Sequence, residues 1–205
     1  SSGDLLLDAL SLTNARGTIQ STEGDALLTV AGPLDNQLGS IAASGALTLS
    51  SGDIDNRKGV LLADSVDLSS QRLNNQAGLI QGSDSLRIDT HGQQIDNSNT
   101  SGEKTGLRSG GALDLIAGEL VNQAGLIAGK RLDLNLLSLS NVAGTIGSAE
   151  GSTIISGALD NQSGTIQSGG DLRLDTQGAE LHNPQGKLLA DGSFAISSGS
   201  LSNQQ

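Results

Sequence analysis

Few side chains in this protein can carry proton chemistry. His91 and His182 are the only histidines, and Cys, Met, Tyr and Trp are absent. A serine nucleophile needs a base within hydrogen-bond reach. The two histidines are separated by about four repeat units, roughly 19 Å at strand spacing, and neither lies in a Gly-x-Ser-x-Gly string, so no serine triad is expected. Paired carboxylates offer a second route, because glycoside cleavage uses two of them about 5–9 Å apart. Asp171 with Asp175 and Asp84 with Asp89 are the candidate pairs, but the aromatic rings that usually hold sugars are missing apart from Phe194. Asp35 with Asp55, and Asp160 with His182, would become neighbours if repeats stack. A hard cation wants six or more oxygens, more than such a pair supplies. A flat threonine array for ice fails as well. Thr18, Thr145 and Thr165 share a slot that Ser40, Val60, Leu79, Leu126 and Lys187 interrupt. The expectation is no catalytic residue, no metal site and no cofactor.

What the chain has instead is a phrase repeated ten times: Asn, two variable residues, Gly, one variable residue, then Ile or Leu. Asn14 and Gly17 open the series, followed by Asn36 and Gly39, Asn56 and Gly59, and Asn75 and Gly78. A disturbed copy at Asn97 precedes Asn122 and Gly125, Asn141 and Gly144, Asn161 and Gly164, and Asn183 and Gly186, and the tenth begins at Asn203. Intervals of 19 to 25 residues between these asparagines mark a solenoid.

One period shows how a coil is built. Ala46-Leu47-Thr48-Leu49-Ser50 alternates apolar and polar residues, the pattern of a half-buried strand. Ile41 follows Gly39 by two, and Ile54 precedes Asn56 by two, giving four inward aliphatics per coil. Phe194 takes the slot that other coils fill with Leu and is expected in the core. A helix fails as a rival, since two or three glycines per repeat would each cost about 1 kcal/mol. Asn and Gly tolerate positive φ, so Asn-x-x-Gly reads as the recurrent corner. Pro184, directly after a repeat Asn, fits a corner that needs no ladder N–H. Stacked coils would also let the Asn amides bond to one another along the axis. The expected fold is all-β: a parallel β-helix (β-solenoid) of about 20 residues per coil and nine to ten coils, roughly 45 Å long at strand spacing.

Composition fits. A narrow aliphatic interior has no need of aromatics, and Gly is 29 of 205 residues. The net charge of −11 argues against nucleic acid or an anionic membrane as partner. No apolar run approaches the length needed to span a membrane. The first residue already lies inside a repeat and no signal peptide is evident, so residues 1–205 are expected to be one segment of a longer filamentous chain, with adjacent repeats of that chain covering its ends. The longest interval, from Asn97 to Asn122, holds about five extra residues in the stretch SNTSGEKTGLRSGG. It predicts an insertion loop over about 98–111. Asn99, Glu103, Lys104 and Arg108 are its candidate binding residues, because loops carry function more often than scaffold does.

Strings such as LDNQLGSIAASGALTLSSGDIDN, LVNQAGLIAGKRLDL and LDNQSGTIQSGGDLRL resemble the repeats of filamentous haemagglutinin-type exoproteins. That family includes adhesins and effectors of contact-dependent growth inhibition. The resemblance spans essentially the whole chain. It implies a right-handed β-helix exported from a Gram-negative bacterium by two-partner secretion, through an outer-membrane β-barrel transporter, to the cell surface or medium. It further implies a non-enzymatic stalk that presents a binding or toxic region to a target-cell protein or glycan. The extra residues between Ile19 and Leu28 and the stretch after Asn97 depart from the pattern.

Overall fold

The computed structural model describes residues 1–204. The chain winds into a parallel β-solenoid of about ten turns. Each coil has three sides. In one representative coil the third side is Ser40–Ala43, the first side of the next is Ala46–Ser50, and the second is Ile54–Asp55. Each strand pairs in parallel with its counterpart one period later: Ala26–Val30 lies on Ala46–Ser50, and Leu34–Asp35 on Ile54–Asp55. Where a corner opens out, two sides merge into one long strand, as in Val60–Ser69, Leu79–Asp89, Ala112–Val121 and Arg131–Ser140.

The period-two alternation dictates what is buried. Leu47 and Leu49 point inward while Thr48 and Ser50 face water. Stacking then aligns like with like. Leu34, Ile54, Leu73 and Ile95 form one inward column, and Ile41, Leu61, Ile80 and Leu107 another. No coil can bury such a face alone, so stability is a sum over neighbouring coils. Phe194 occupies the expected column, paired with Leu172, but 46% of it stays exposed. The reason is positional: the last coil has a stacked neighbour on one side only. Ile196 and Leu201 are exposed for the same reason.

Polar groups enter this core with partners, with one exception among the described residues. Ser152 replaces a Leu between Leu132 and Leu172, and its hydroxyl donates to Ser148 Oγ at 2.7 Å. Ser148 in turn donates to Ser168 Oγ at 3.1 Å. Among the described residues, one buried side-chain oxygen lacks a partner, Ser70 Oγ. An unpaired buried hydroxyl carries its desolvation penalty with no return. Ser70→Ala is therefore expected to raise stability by about 1 kcal/mol, read as an upward shift in the urea midpoint at unchanged slope.

Candidate functional site

The repeated phrase is a four-residue turn between the second and third sides. The Gly N–H closes it onto the Asn carbonyl, as in Gly39 to Asn36 O at 3.0 Å and Gly144 to Asn141 O at 3.0 Å. Positive φ falls neither on the Asn nor on the Gly, contrary to the sequence expectation. It falls on the residue between them: Arg16, Leu38, Lys58, Ala77, Asn99, Ala124, Ala143, Ser163 and Gln185, with φ from 48° to 59°. The Gly has a different reason. A Cβ on Gly39, Gly59, Gly78, Gly144 or Gly164 would collide with the carbonyl oxygen of the preceding coil's Asn and with the Oδ1 of its own. Glycine is needed here for close approach of backbone to backbone.

The asparagine side chains turn inward and form a ladder. Each Nδ2 donates to the Oδ1 of the next coil's Asn, from Asn14 through Asn36, Asn56, Asn75, Asn97, Asn122, Asn141, Asn161 and Asn183 to Asn203, nine bonds of 2.6–2.9 Å. All nine point the same way, toward the C-terminal end. Most of these amides spend their second hydrogen on a backbone carbonyl of that same following coil, such as Asn36 on Val60 O and Asn141 on Thr165 O. Each coil therefore completes the hydrogen bonding of the coil before it.

The residue preceding the Asn has its own local task. Asp35, Asp55, Asp96 and Asp160 each accept the backbone N–H of the residue two ahead, at 2.9–3.2 Å. Pro184 has no such N–H, and His182 precedes its Asn in place of an acceptor. The register does make Asp35 a neighbour of Asp55, and Asp160 of His182. Asp55 is already engaged, however, by the guanidinium of Arg57 at 2.7 Å, and this contact raises the Arg57 pKa further. Among the described residues no group of three His, Asp or Glu side chains gathers as metal ligands.

Three of the four carboxylates considered for sugar cleavage, Asp89, Asp171 and Asp175, are engaged by backbone N–H groups. Asp171 Oδ1 accepts Ser193 N–H at 2.7 Å. Asp175 Oδ1 accepts Gln177 N–H at 2.9 Å, and its Oδ2 faces Arg173. The backbone hydrogen bond, and then Arg173, hold the Asp175 carboxyl below its usual pKa. A general acid needs the opposite shift.

The inserted loop is narrower than the expected 98–111. Gly106–Ser109 is a strand that rejoins the ladder beside Leu79–Asp89, and Ala112 begins another. The extra residues lie between Thr100 and Gly106. Thr100 stands where the repeat has Gly. Its hydroxyl donates to Asn97 O at 2.8 Å and accepts Leu126 N–H at 3.0 Å, replacing backbone contacts that the insertion displaces. Asn75 makes the same ladder bond as its peers but no bond to the backbone of the inserted coil. Of the four candidate binding residues, Glu103, Lys104 and Asn99 are exposed. Arg108 is a strut: Nε donates to Thr105 O at 2.8 Å and a terminal nitrogen to Gly102 O at 3.0 Å. Arg108→Ala should free the loop without moving the global midpoint. Tryptic cleavage after Lys104 should accelerate about tenfold, equivalent to about 1.4 kcal/mol of easier local opening.

One grouping lay outside the sequence reading. Ser69 Oγ is 2.9 Å from His91 Nε2, and His91 Nδ1 is 3.5 Å from Asp89 Oδ1. Spacing between the two histidines does not reveal this, because the partner of His91 is a serine of the preceding coil. The signal available was the 22-residue separation of Ser69 and His91, which is one coil length.

Comparison with known proteins agrees with the repeat geometry. The family model for the haemagglutinin repeat matches residues 1–37, 23–102, 93–136, 127–179 and 174–205. No curated protein sequence and no solved structure matches the chain. The stacked Asn-x-x-Gly coils and the end-to-end family match lead to one conclusion: the chain belongs to the filamentous haemagglutinin repeat family, as a β-helix domain of the kind typical of two-partner-secretion exoproteins.

Proposed function

We propose that this segment is a non-enzymatic stalk of a secreted filamentous adhesin or of a contact-dependent growth inhibition effector. In this reading residues 1–205 form a single segment of a longer filament at the surface of a Gram-negative bacterium, wound right-handed. It spaces and presents a binding or toxic region carried elsewhere in the chain. The observation behind this reading is the unbroken asparagine ladder, which runs from Asn14 to Asn203 and gives every coil the same task. The repeat turns at Asn14 and Gly17 through Asn183 and Gly186 are then scaffold residues.

Export through an outer-membrane β-barrel partner fits the direction of the ladder. A coil that has just folded presents amide donors that only the next coil can satisfy. Contacts are one coil apart, so folding can follow the chain as it emerges, and burial outside the cell would bias movement outward. A repeat deletion that abolishes folding yet leaves export rate unchanged would contradict this coupling.

A second reading, binding of a receptor or glycan, draws on two features. Glu103 and Lys104 project from the inserted loop. An open groove of about 590 Å³ runs along the second side, with Pro33, Gln37, Asp53, Arg72 and Gln94 among its lining residues. Labelled segment applied to target cells separates the two readings. The stalk predicts no saturable binding. Saturable binding that is lost with Glu103→Ala and Lys104→Ala together would replace it with the loop-binding module.

A further inference from the structure

We propose that Ser69 is a base-activated nucleophile, a site that accepts an acyl group from an activated ester or thioester. Ser69 ends the strand Val60–Ser69 and pairs with Asp89 in the next coil. Beyond Asp89 the chain turns sharply, with His91 at φ 50° and Gly92 at φ 79°. The Asp89 carboxylate fixes this turn by accepting His91 N–H at 2.8 Å. The turn carries the imidazole back over the preceding coil, so that Nε2 meets Ser69 Oγ at 2.9 Å. On the other side of the ring, Nδ1 faces Asp89 Oδ1 at 3.5 Å, and Arg87 stands 4.0 Å from Asp89 Oδ2. A carboxylate beside Nδ1 favours the tautomer with its proton there. The Nε2 lone pair is then free to take the Ser69 proton.

The step balances. Ser69 Oγ bonds to the carbonyl carbon of the donor, the bond from that carbon to the alcohol, phenol or thiol breaks, and the hydroxyl proton passes to His91 Nε2 and on to the leaving group. The imidazole is 61% exposed, so a donor in solution can reach the site. Turnover is not expected. Ser70 N–H is spent on Asp89 O at 3.0 Å and Gln71 N–H on Gly52 O at 2.9 Å. These flanking amides are thus unavailable as an oxyanion hole. An activated donor carries a good leaving group and can acylate Ser69 with the base alone, whereas the alkyl ester it leaves has a poor one, and its hydrolysis without an oxyanion hole is slow. The site is an acceptor, modified once.

The chain contains its own control. Asp175-Thr176-Gln177-Gly178 repeats the turn of Asp89-Thr90-His91-Gly92, with Gln177 at φ 52° and Asp175 accepting Gln177 N–H at 2.9 Å. Thr90 and Thr176 each donate to the carbonyl three residues on, at 2.7 Å. Glutamine therefore fits the backbone at this position, and His91→Gln should remove the base while keeping the turn.

The test uses the 205-residue chain with p-nitrophenyl acetate. Acetylation is followed by mass spectrometry of the tryptic peptide Gly59–Arg72, with fragment ions separating Ser65, Ser69 and Ser70. Ser163, which bonds to Gln185 and has no base beside it, is the reference serine. Ser69 should acetylate about a hundredfold faster than Ser163, the lower end of general-base assistance. His91→Gln should bring it to the Ser163 rate with an unchanged circular dichroism spectrum, and Ser69→Ala should leave that peptide unlabelled. A Ser69 rate no higher than that of Ser163, a rate indifferent to His91→Gln, or acetyl found on His91 alone would overturn the proposal.

Discussion

Replacing Asn141 by alanine should lower stability by about 4 kcal/mol, among the largest losses available to a single substitution in this chain. Its Oδ1 accepts from Asn122 at 2.7 Å, and its Nδ2 donates to Asn161 at 2.7 Å and to Thr165 O at 3.2 Å. Asn141 is fully buried. Removing its side chain strands one Asn122 donor and the Asn161 acceptor where no water replaces them, at about 1–3 kcal/mol each, in addition to the bonds lost. Asn135→Ala, on an exposed side chain, should stay within about 0.5 kcal/mol of the parent. Urea midpoints measure both. Amide exchange should further show the Asn141→Ala defect concentrated in the coils of Asn122 and Asn161, because coupling in a solenoid is nearest-neighbour.

The second large effect separates two adjacent residues of one turn. Gly144 has no positive φ in this structure, so its tolerance for unusual backbone angles is not what is used. A Cβ there would collide with Asn122 O, Asn141 Oδ1 and Asn122 Nδ2. Two of these atoms belong to the coil beneath, so relief requires prising the coils apart and stretching the ladder bonds. Gly144→Ala is expected to cost about 3 kcal/mol, the upper part of the range for overpacking. Ala143 is the left-handed residue, with φ 53°. For a residue with a Cβ that conformation costs about 1–2 kcal/mol, while glycine's added chain entropy costs about 0.5–1 kcal/mol. Ala143→Gly should therefore stabilise by about 0.5 kcal/mol. Opposite signs at neighbouring positions are the expected signature of the turn. Equal and small effects would show that the coils are not in close contact there.

These two residues also show what the sequence revealed and what it concealed. The period, the inward columns and the turn were legible because each recurs at every coil and obeys a one-dimensional rule. Ile54 and Leu73 could be matched by counting from the Asn, and the inward asparagine ladder followed from stacking. The task of the Gly was not legible, because a glycine required by positive φ and one required by close approach look the same in a string. The structure reverses that assignment for Gly144 and Ala143. The insertion was expected as a loop over 98–111, whereas Gly106–Ser109 and the chain from Ala112 are strand. Gly106–Ser109 is polar and glycine-rich in sequence, yet it is held as strand by partners on both sides. Arg108, expected as a candidate binding residue of the loop, has its guanidinium on the loop carbonyls of Thr105 and Gly102, contacts that sequence spacing does not reveal. The meeting of Ser69 with His91 depends on register between coils and on a turn that folds back, neither of which a linear motif records.

The asparagine ladder is the feature on which the stalk reading rests, and side-chain amide exchange measures it directly. In a nitrogen-15 spectrum, the Nδ2 hydrogens of the nine buried residues Asn14, Asn36, Asn56, Asn75, Asn97, Asn122, Asn141, Asn161 and Asn183 should be dispersed and protected from exchange. Protection should be weakest at the ends and at Asn75, which makes no bond to the backbone of the following, inserted coil. Asn99 and Asn135, which lie outside the ladder and are exposed, should exchange at the rate of a free amide. Uniformly fast exchange at all of these side chains would contradict the ladder, and with it the view that the repeated asparagine holds one coil to the next.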